Sequence, residues 1–135
     1  MKKTKIAIQM DKIEDIDIEF DSSFLIGLEA QKRNYDIFYY NPEELFYKEG
    51  AIQANGFYIN LLENEKVHFK YLTKKISENL NDFKFIFIRQ DPPFDMNYIT
   101  STYLLDFLSP NTIVINNPTS IRNFSEKISS FKFKE

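Results

Sequence analysis

Apolar and polar positions change period several times along this chain, and each change marks an element. KIAIQM, residues 5–10, is a short run rich in β-branched residues that stops at a charge, the signature of a buried strand. Between Asp11 and Asp21 isoleucines alternate with acids, which reads as an ordered loop with its isoleucines turned inward. DSSFLIGLEAQKRN then predicts a helix with both ends written. Asp21, Ser22 or Ser23 is its N-cap, Phe24, Leu25 and Leu28 form one stripe, Lys32 and Arg33 fill the last turn, and Asn34 suits the left-handed position past the end. YDIFYYN, 35–41, predicts a second strand, so the opening third is strand, helix, strand, the unit of a right-handed parallel crossover.

Residues 44–73 break that rhythm and predict two hairpins, one turning at Lys48-Glu49-Gly50 and one at Glu63-Asn64-Glu65. After the polar stretch KKISENLND the earlier pattern returns. FKFIFIR, 83–89, predicts a third sheet strand. The next helix is capped by Asp95, with Ile99, Tyr103, Leu104, Phe107 and Leu108 facing in, and TIVI, 112–115, is a fourth strand. NNPTSIRNFSEK opens a last helix with Asn117 as N-cap and Pro118 at the first helical position, where its missing N–H costs nothing. The expected fold class is α/β: a small doubly wound, mainly parallel sheet of order 2-1-3-4, with an antiparallel hairpin insertion at about 44–73.

In an open parallel sheet, ligands bind off the carboxyl ends of the strands, where strand order reverses. With the first strand central, that crevice lies between the first and third strands. Asp11 trails the first, Arg89-Gln90-Asp91 trail the third, and Asn116 and Asn117 trail the fourth, all on one edge beside the helix that starts at Ser22. RQDPPFD, 89–95, is then a rigid lip on the ligand edge, or a segment whose Pro92 and Pro93 only hold the chain extended. Asp95 is most simply a helix cap, which removes it from a carboxylate pair with Asp91. Arg89 ends an otherwise apolar strand and calls for an anionic partner, either Asp91 or Asp11 or a ligand carboxylate.

Composition narrows the chemistry. At 135 residues the chain has the length of one domain, and its 43% hydrophobic and 27% charged residues are those of a soluble globular one. The net charge of −3 and the scattered lysines leave no electrostatic footprint for nucleic acid. Absence of cysteine excludes disulfides, thiolate metal sites and cysteine nucleophiles, and points to the cytoplasm. IAIQM after MKKTK is too short for an export segment, and no stretch is apolar enough to span a membrane. His68, the single histidine, has a packing or surface role rather than a metal. Gly27, Gly50 and Gly56 are the only glycines and build neither GxGxxG nor a Walker loop.

Three stretches, IAIQMDKIEDIDIEFDSSFLIGLEAQKRNYDI, FIFIRQDPPFDMNYITSTYLLDFL and TIVINNPTSIRNFSEK, carry a likeness in order and spacing. The chain resembles the N-terminal, pre-ATP-grasp domain of prokaryotic glutathione synthase. RQDPPFD, set between such a strand and such a helix, is its most specific feature, and Asn34 departs from the glycine usual at that turn. The resemblance implies that residues 1–135 are the substrate-side domain of an ATP-dependent ligase joining γ-glutamylcysteine to glycine through an acyl phosphate. It implies ATP and magnesium for the full-length enzyme, held by an ATP-grasp portion outside this chain, and no cofactor and no catalytic residue here. Asp11, Ser22, Ser23, Arg89, Asp91 and Asn116 are carried over as substrate-binding candidates. A homo-oligomer is expected, because the aromatic hairpins need a surface to cover them, whether their own sheet, a second copy or the ATP-grasp portion. The alternative is a free-standing flavodoxin-like ligand-binding or interaction module without catalysis.

Overall fold

A computed structural model describes residues 3–64, 66–90 and 95–123. The first strand, β1 (Lys5–Gln9), pairs in parallel with β2 (Asp36–Tyr40) on one side and with β7 (Phe85–Ile88) on the other. Beyond β7 lies β8 (Ile113–Ile115), again parallel. These four strands, numbered as the sequence predicts them, stand in the expected order 2-1-3-4. Ile6, Ala7, Ile8 and Gln9 are all buried, because a central parallel strand is covered on both faces and has no side to give to water.

The insertion is antiparallel, as expected, but its two hairpins share one strand. The long β4 (Ala51–Leu61) pairs with β3 (Leu45–Lys48) and then with β2 along one edge. Along its other edge it pairs with β6 (Ile76–Asn79) and β5 (Phe69–Tyr71). The polar stretch KKISENLND thus contains a strand, β6, whose polar residues fit an outer position that is covered on one edge only. Gly56 lies where β4 passes closest to β2. A Cβ there would stand 2.2 Å from the Tyr39 carbonyl oxygen and 2.9 Å from Tyr40 Cβ, so only glycine fits. The turn between β3 and β4 is made by Glu49 and Gly50, with φ of 53° and 80°.

Helix α1 (Ser22–Lys32) lies on one face of the sheet and α2 (Met96–Leu105) on the other. Each is capped as the sequence predicts: Asp21 accepts from the amides of Ser23 and Phe24, and Asp95 accepts from that of Tyr98. Asn34 has φ of 64°, the left-handed conformation expected past the end of α1. α1 docks through Phe24, Gly27 and Ala30, and Gln31 clamps both the N–H and the carbonyl of Leu61. This small-residue contact leaves Leu25, expected on the inner stripe, 60% exposed.

α2 is rotated from the expected orientation. Leu104 and Leu108 do pack inward, but Tyr103 and Phe107 are 55% and 72% exposed, while Ser101, Thr102 and Leu105 are buried. The two hydroxyls tolerate burial because each donates to a carbonyl of its own helix, Ser101 to Tyr98 and Thr102 to Ile99. The short α3 (Pro118–Asn123) follows β8 and starts at proline as predicted, with Ile121 reaching the α2-side core. Ile13 in the loop after β1 is buried, and Ile16 and Ile18 pack against the α1-side core, as their alternation suggested. No helix among the described residues is long and apolar enough to cross a membrane.

Candidate functional site

The carboxyl ends of β1 and β7 are locked together before any side chain acts, since the Arg89 amide donates to the Gln9 carbonyl at 2.8 Å. From that junction successive side chains part to opposite faces, as strand geometry requires. Arg89 continues the phase of Phe85 and Phe87 toward α1. Gln90 continues the phase of Ile86 and Ile88 toward α2.

On the α1 side, the half-buried Arg89 donates to the Ser23 hydroxyl at 3.3 Å through Nε and to the Ser22 hydroxyl through a terminal nitrogen. Ser23 is buried and Ser22 exposed, so the guanidinium stands at the sheet edge with one side against the protein. Its protein acceptors are neutral. Among the described residues no carboxylate forms an ion pair with it, and its remaining N–H donors are those of a fork suited to a carboxylate. The backbone N–H groups at the start of α1 are a different matter. Ser23 N and Phe24 N are already taken by Asp21, so that helix end carries its own anion.

On the α2 side lies a cleft of about 410 Å³, lined by Asp11, Glu43, Gln90, Asp95, Tyr98 and Ser101 among others. Its floor is a buried amide network. Gln9, with no exposed surface, donates to Gln90 Oε1 at 3.0 Å and accepts from the Tyr40 hydroxyl at 2.8 Å, and Ser101 Oγ stands 3.4 Å from its nitrogen. Tyr40 is enclosed here, and desolvation pushes its phenol far above the ordinary value of 10.0. The loop carrying Asp11 is pinned from below. Asn41 donates to the Met10 carbonyl and to the Tyr39 hydroxyl, which in turn accepts from Ile13 N.

The structure therefore brings Ser22, Ser23 and Arg89 into one cluster and sets Asp11 on the wall of the cleft at the other face. Asn116 is exposed past the end of β8, the strand beyond the one that carries Arg89. Asp91, with Pro92 and Pro93, lies outside the described residues. His68 packs against Phe24 and Phe69 with Nε2 2.6 Å from the Ile13 carbonyl, so of the two roles expected, packing or surface, it has the packing one. Among the described residues no three His, Asp or Glu side chains converge as metal ligands. The Gln9, Gln90, Ser101 and Tyr40 network was not foreseen. Its one signal in the sequence is a glutamine ending an otherwise apolar strand, which must find buried partners.

Comparison with known proteins gives this edge its context. Residues 4–122 match the family described as "Prokaryotic glutathione synthetase, N-terminal domain". The glutathione synthetase of Agrobacterium fabrum is 44% identical over 136 aligned positions, covering 100% of this chain and 42% of that protein. That of Brucella melitensis is 40% identical, covering 97% of this chain and 42% of its own length, and that of Wigglesworthia glossinidia brevipalpis is 40% identical, covering 96% and 41%. The chain thus spans less than half the length of these relatives. A match from the strand-one residues to α3, supported by such identities over nearly every position, leaves one conclusion: the chain belongs to the family of prokaryotic glutathione synthetase N-terminal domains.

Proposed function

We propose that this domain is the substrate-side part of a glutathione synthetase, an ATP-dependent ligase that joins γ-glutamylcysteine to glycine, and that it binds the peptide substrate rather than performing the chemistry. The observation that carries this is Arg89, a guanidinium held by two serine hydroxyls with no protein carboxylate among the described residues as its partner. Such a fork takes a carboxylate in two parallel hydrogen bonds. In this reading Arg89 and Ser22 receive the carboxylate of the γ-glutamyl end, which does not react. Ser23 holds the guanidinium in place, Asn116 stands past the end of β8 on the same rim, Asp11 faces the cleft on the other side of the sheet, and Asp91 comes two positions after Arg89 in the sequence.

The described residues do not fit the nucleotide or its metal. The three glycines lie in a helix, a hairpin turn and a strand, and among the described residues no metal-ligating cluster forms. ATP and magnesium therefore belong, in this proposal, to an ATP-grasp portion outside residues 1–135, and no step of the reaction is assigned to this chain. The domain also makes contacts with further copies of itself.

The test has two arms. The 135-residue chain, given ATP, magnesium, γ-glutamylcysteine and glycine, forms neither ADP nor glutathione; turnover by the chain alone overturns the division of labour. In a chimera joining this domain to the remaining part of the Agrobacterium fabrum relative, Arg89→Gln raises KM for γ-glutamylcysteine by roughly 10- to 100-fold with little change in kcat, as loss of a charged ground-state contact does. An unchanged KM overturns the role of Arg89.

A further inference from the structure

Arg89 lies one position beyond the end of the β1–β7 ladder, whose last pair is Gln9 and Ile88. Its amide still reaches the Gln9 carbonyl, but its long side chain has left the strand. Both faces of the sheet are within reach of such a side chain, and only one of them carries Ser22 and Ser23. What decides between the faces is the next residue. In extended chain neighbouring side chains point to opposite sides, so a side chain at position 90 that is held under α2 commits the one at 89 to α1.

Gln90 is held there from three elements. From β1, Gln9 donates to its Oε1 at 3.0 Å; from β2, the Tyr40 hydroxyl fixes Gln9 at 2.8 Å; from α2, Ser101 Oγ stands 3.4 Å from Gln9 Nε2 and 3.5 Å from Gln90 Nε2. All four side chains are buried, so water does not compete for these bonds. Stability alone does not ask for amides at this place, since two apolar side chains of similar shape fill a core about as well and leave no polar atom to satisfy. What the amides add is direction. We propose that Gln90, locked by Gln9, Tyr40 and Ser101, is a positioning residue for substrate binding, which sets Arg89 on the α1 face before γ-glutamylcysteine arrives. The inference rests on the reading of Arg89 given above and adds to it a residue that acts only through Arg89. A guanidinium ordered in advance spares the ligand the cost of immobilising a long side chain, about 2- to 10-fold in affinity.

Steady-state kinetics of the chimera described above test this. Gln90→Leu fills the same space without an acceptor for Gln9, and is expected to raise KM for γ-glutamylcysteine by about 2- to 10-fold while KM for ATP stays as it was. Gln90→Glu keeps an oxygen for Gln9 to donate to, and should bring KM back to within about twofold of the parent. A variant that is partly unfolded loses apparent kcat at an unchanged KM, so KM separates positioning from mere stability. On an Arg89→Gln background, Gln90→Leu should add nothing, because a residue that acts through Arg89 has nothing left to position. Lower kcat with KM unchanged in Gln90→Leu, where Arg89→Gln does raise KM, overturns the positioning role alone. So does a KM in the double variant that is the product of the two single effects, which would mean that Gln90 acts independently of Arg89. An unchanged KM in Arg89→Gln itself overturns the reading of the site and this inference with it.

Discussion

Gln9 and Gln90, at the ends of two neighbouring parallel strands, share a 3.0 Å hydrogen bond, with Gln9 fully enclosed and Gln90 buried at the floor of the α2-side cleft. The bond ties the central strand to the segment that follows β7, and it does so directly beneath the cleft. Gln9 Oε1 also receives the Tyr40 hydroxyl, so three strands meet in one amide. Buried polar groups are costly when orphaned and rigid when satisfied, and no buried side-chain polar atom among those described lacks a partner.

Gln9→Leu therefore removes the acceptor of the Tyr40 hydroxyl and the donor to Gln90. Each buried group left without a partner costs about 1–3 kcal/mol, so a loss of roughly 2–4 kcal/mol is expected. Urea denaturation followed by circular dichroism checks it, through a lower midpoint at unchanged slope. Stability equal to the parent would show that the network contributes nothing.

Gly56 and Gly27 respond differently to alanine. Gly56→Ala drives a Cβ into the backbone of β2, with no flexible group to yield, and costs about 3 kcal/mol or more. Gly27→Ala meets chiefly Leu61 Cδ1, the end of a movable side chain, while removing a glycine from a helix interior favours it by about 1 kcal/mol. The two melts should separate widely. Equal midpoints would contradict the close approach of β4 to β2.

Alkaline pH acts through the tyrosines. Burial raises the phenol of Tyr40 above its ordinary 10.0, and Tyr39 and Tyr58 are raised as well, the last also by Glu78. A group protonated more firmly in the fold than in the unfolded chain contributes its full stability below the unfolded value. Stability is then lost as the pH climbs past 10 toward the folded value, at about 1.4 kcal/mol per pH unit for a buried phenol such as Tyr40. Urea midpoints should be level from about pH 7 to 9 and fall above about 10. Tyr40→Phe leaves the buried Gln9 Oε1 without its donor and costs about 1–3 kcal/mol at neutral pH, and shows a shallower alkaline fall.

Asp21 is both the cap of α1 and the nearest sequence neighbour of the two serines that hold Arg89. Asp21→Ala should cost about 1 kcal/mol in stability. In the chimera it should also raise KM for γ-glutamylcysteine, because the serines sit on the turn that the cap fixes. Asp21→Asn, which caps nearly as well, should restore both. Restored stability with KM still raised would mean that the charge of Asp21, not the turn, shapes the site.

Local pattern was enough to read most of the fold. The N-cap at Asp21, the left-handed Asn34, the extent of the four strand segments and the cap at Asp95 all follow from patterns among residues a few positions apart. What pattern misjudged were matters of orientation. Leu25, Tyr103 and Phe107 turn outward because packing selected the smaller Gly27, Ala30, Ser101 and Thr102 for the inner faces, and hydroxyls bonded to their own helix can be buried. Strand β6 escaped notice because an outer strand needs no apolar alternation.

The edge of the sheet divides in the same way. That Asp11, Arg89 and Asn116 share one rim follows from chain order, because parallel strands put all their carboxyl ends together. Which face each side chain serves was settled only by the fold. Arg89 lies with Ser22 and Ser23 under α1, and Gln90 with Gln9 and Ser101 under α2. The cause is the pleat: one residue of advance past the last strand bond carries a side chain through the sheet. The phase of that alternation is set by long-range register, which no short stretch of sequence contains.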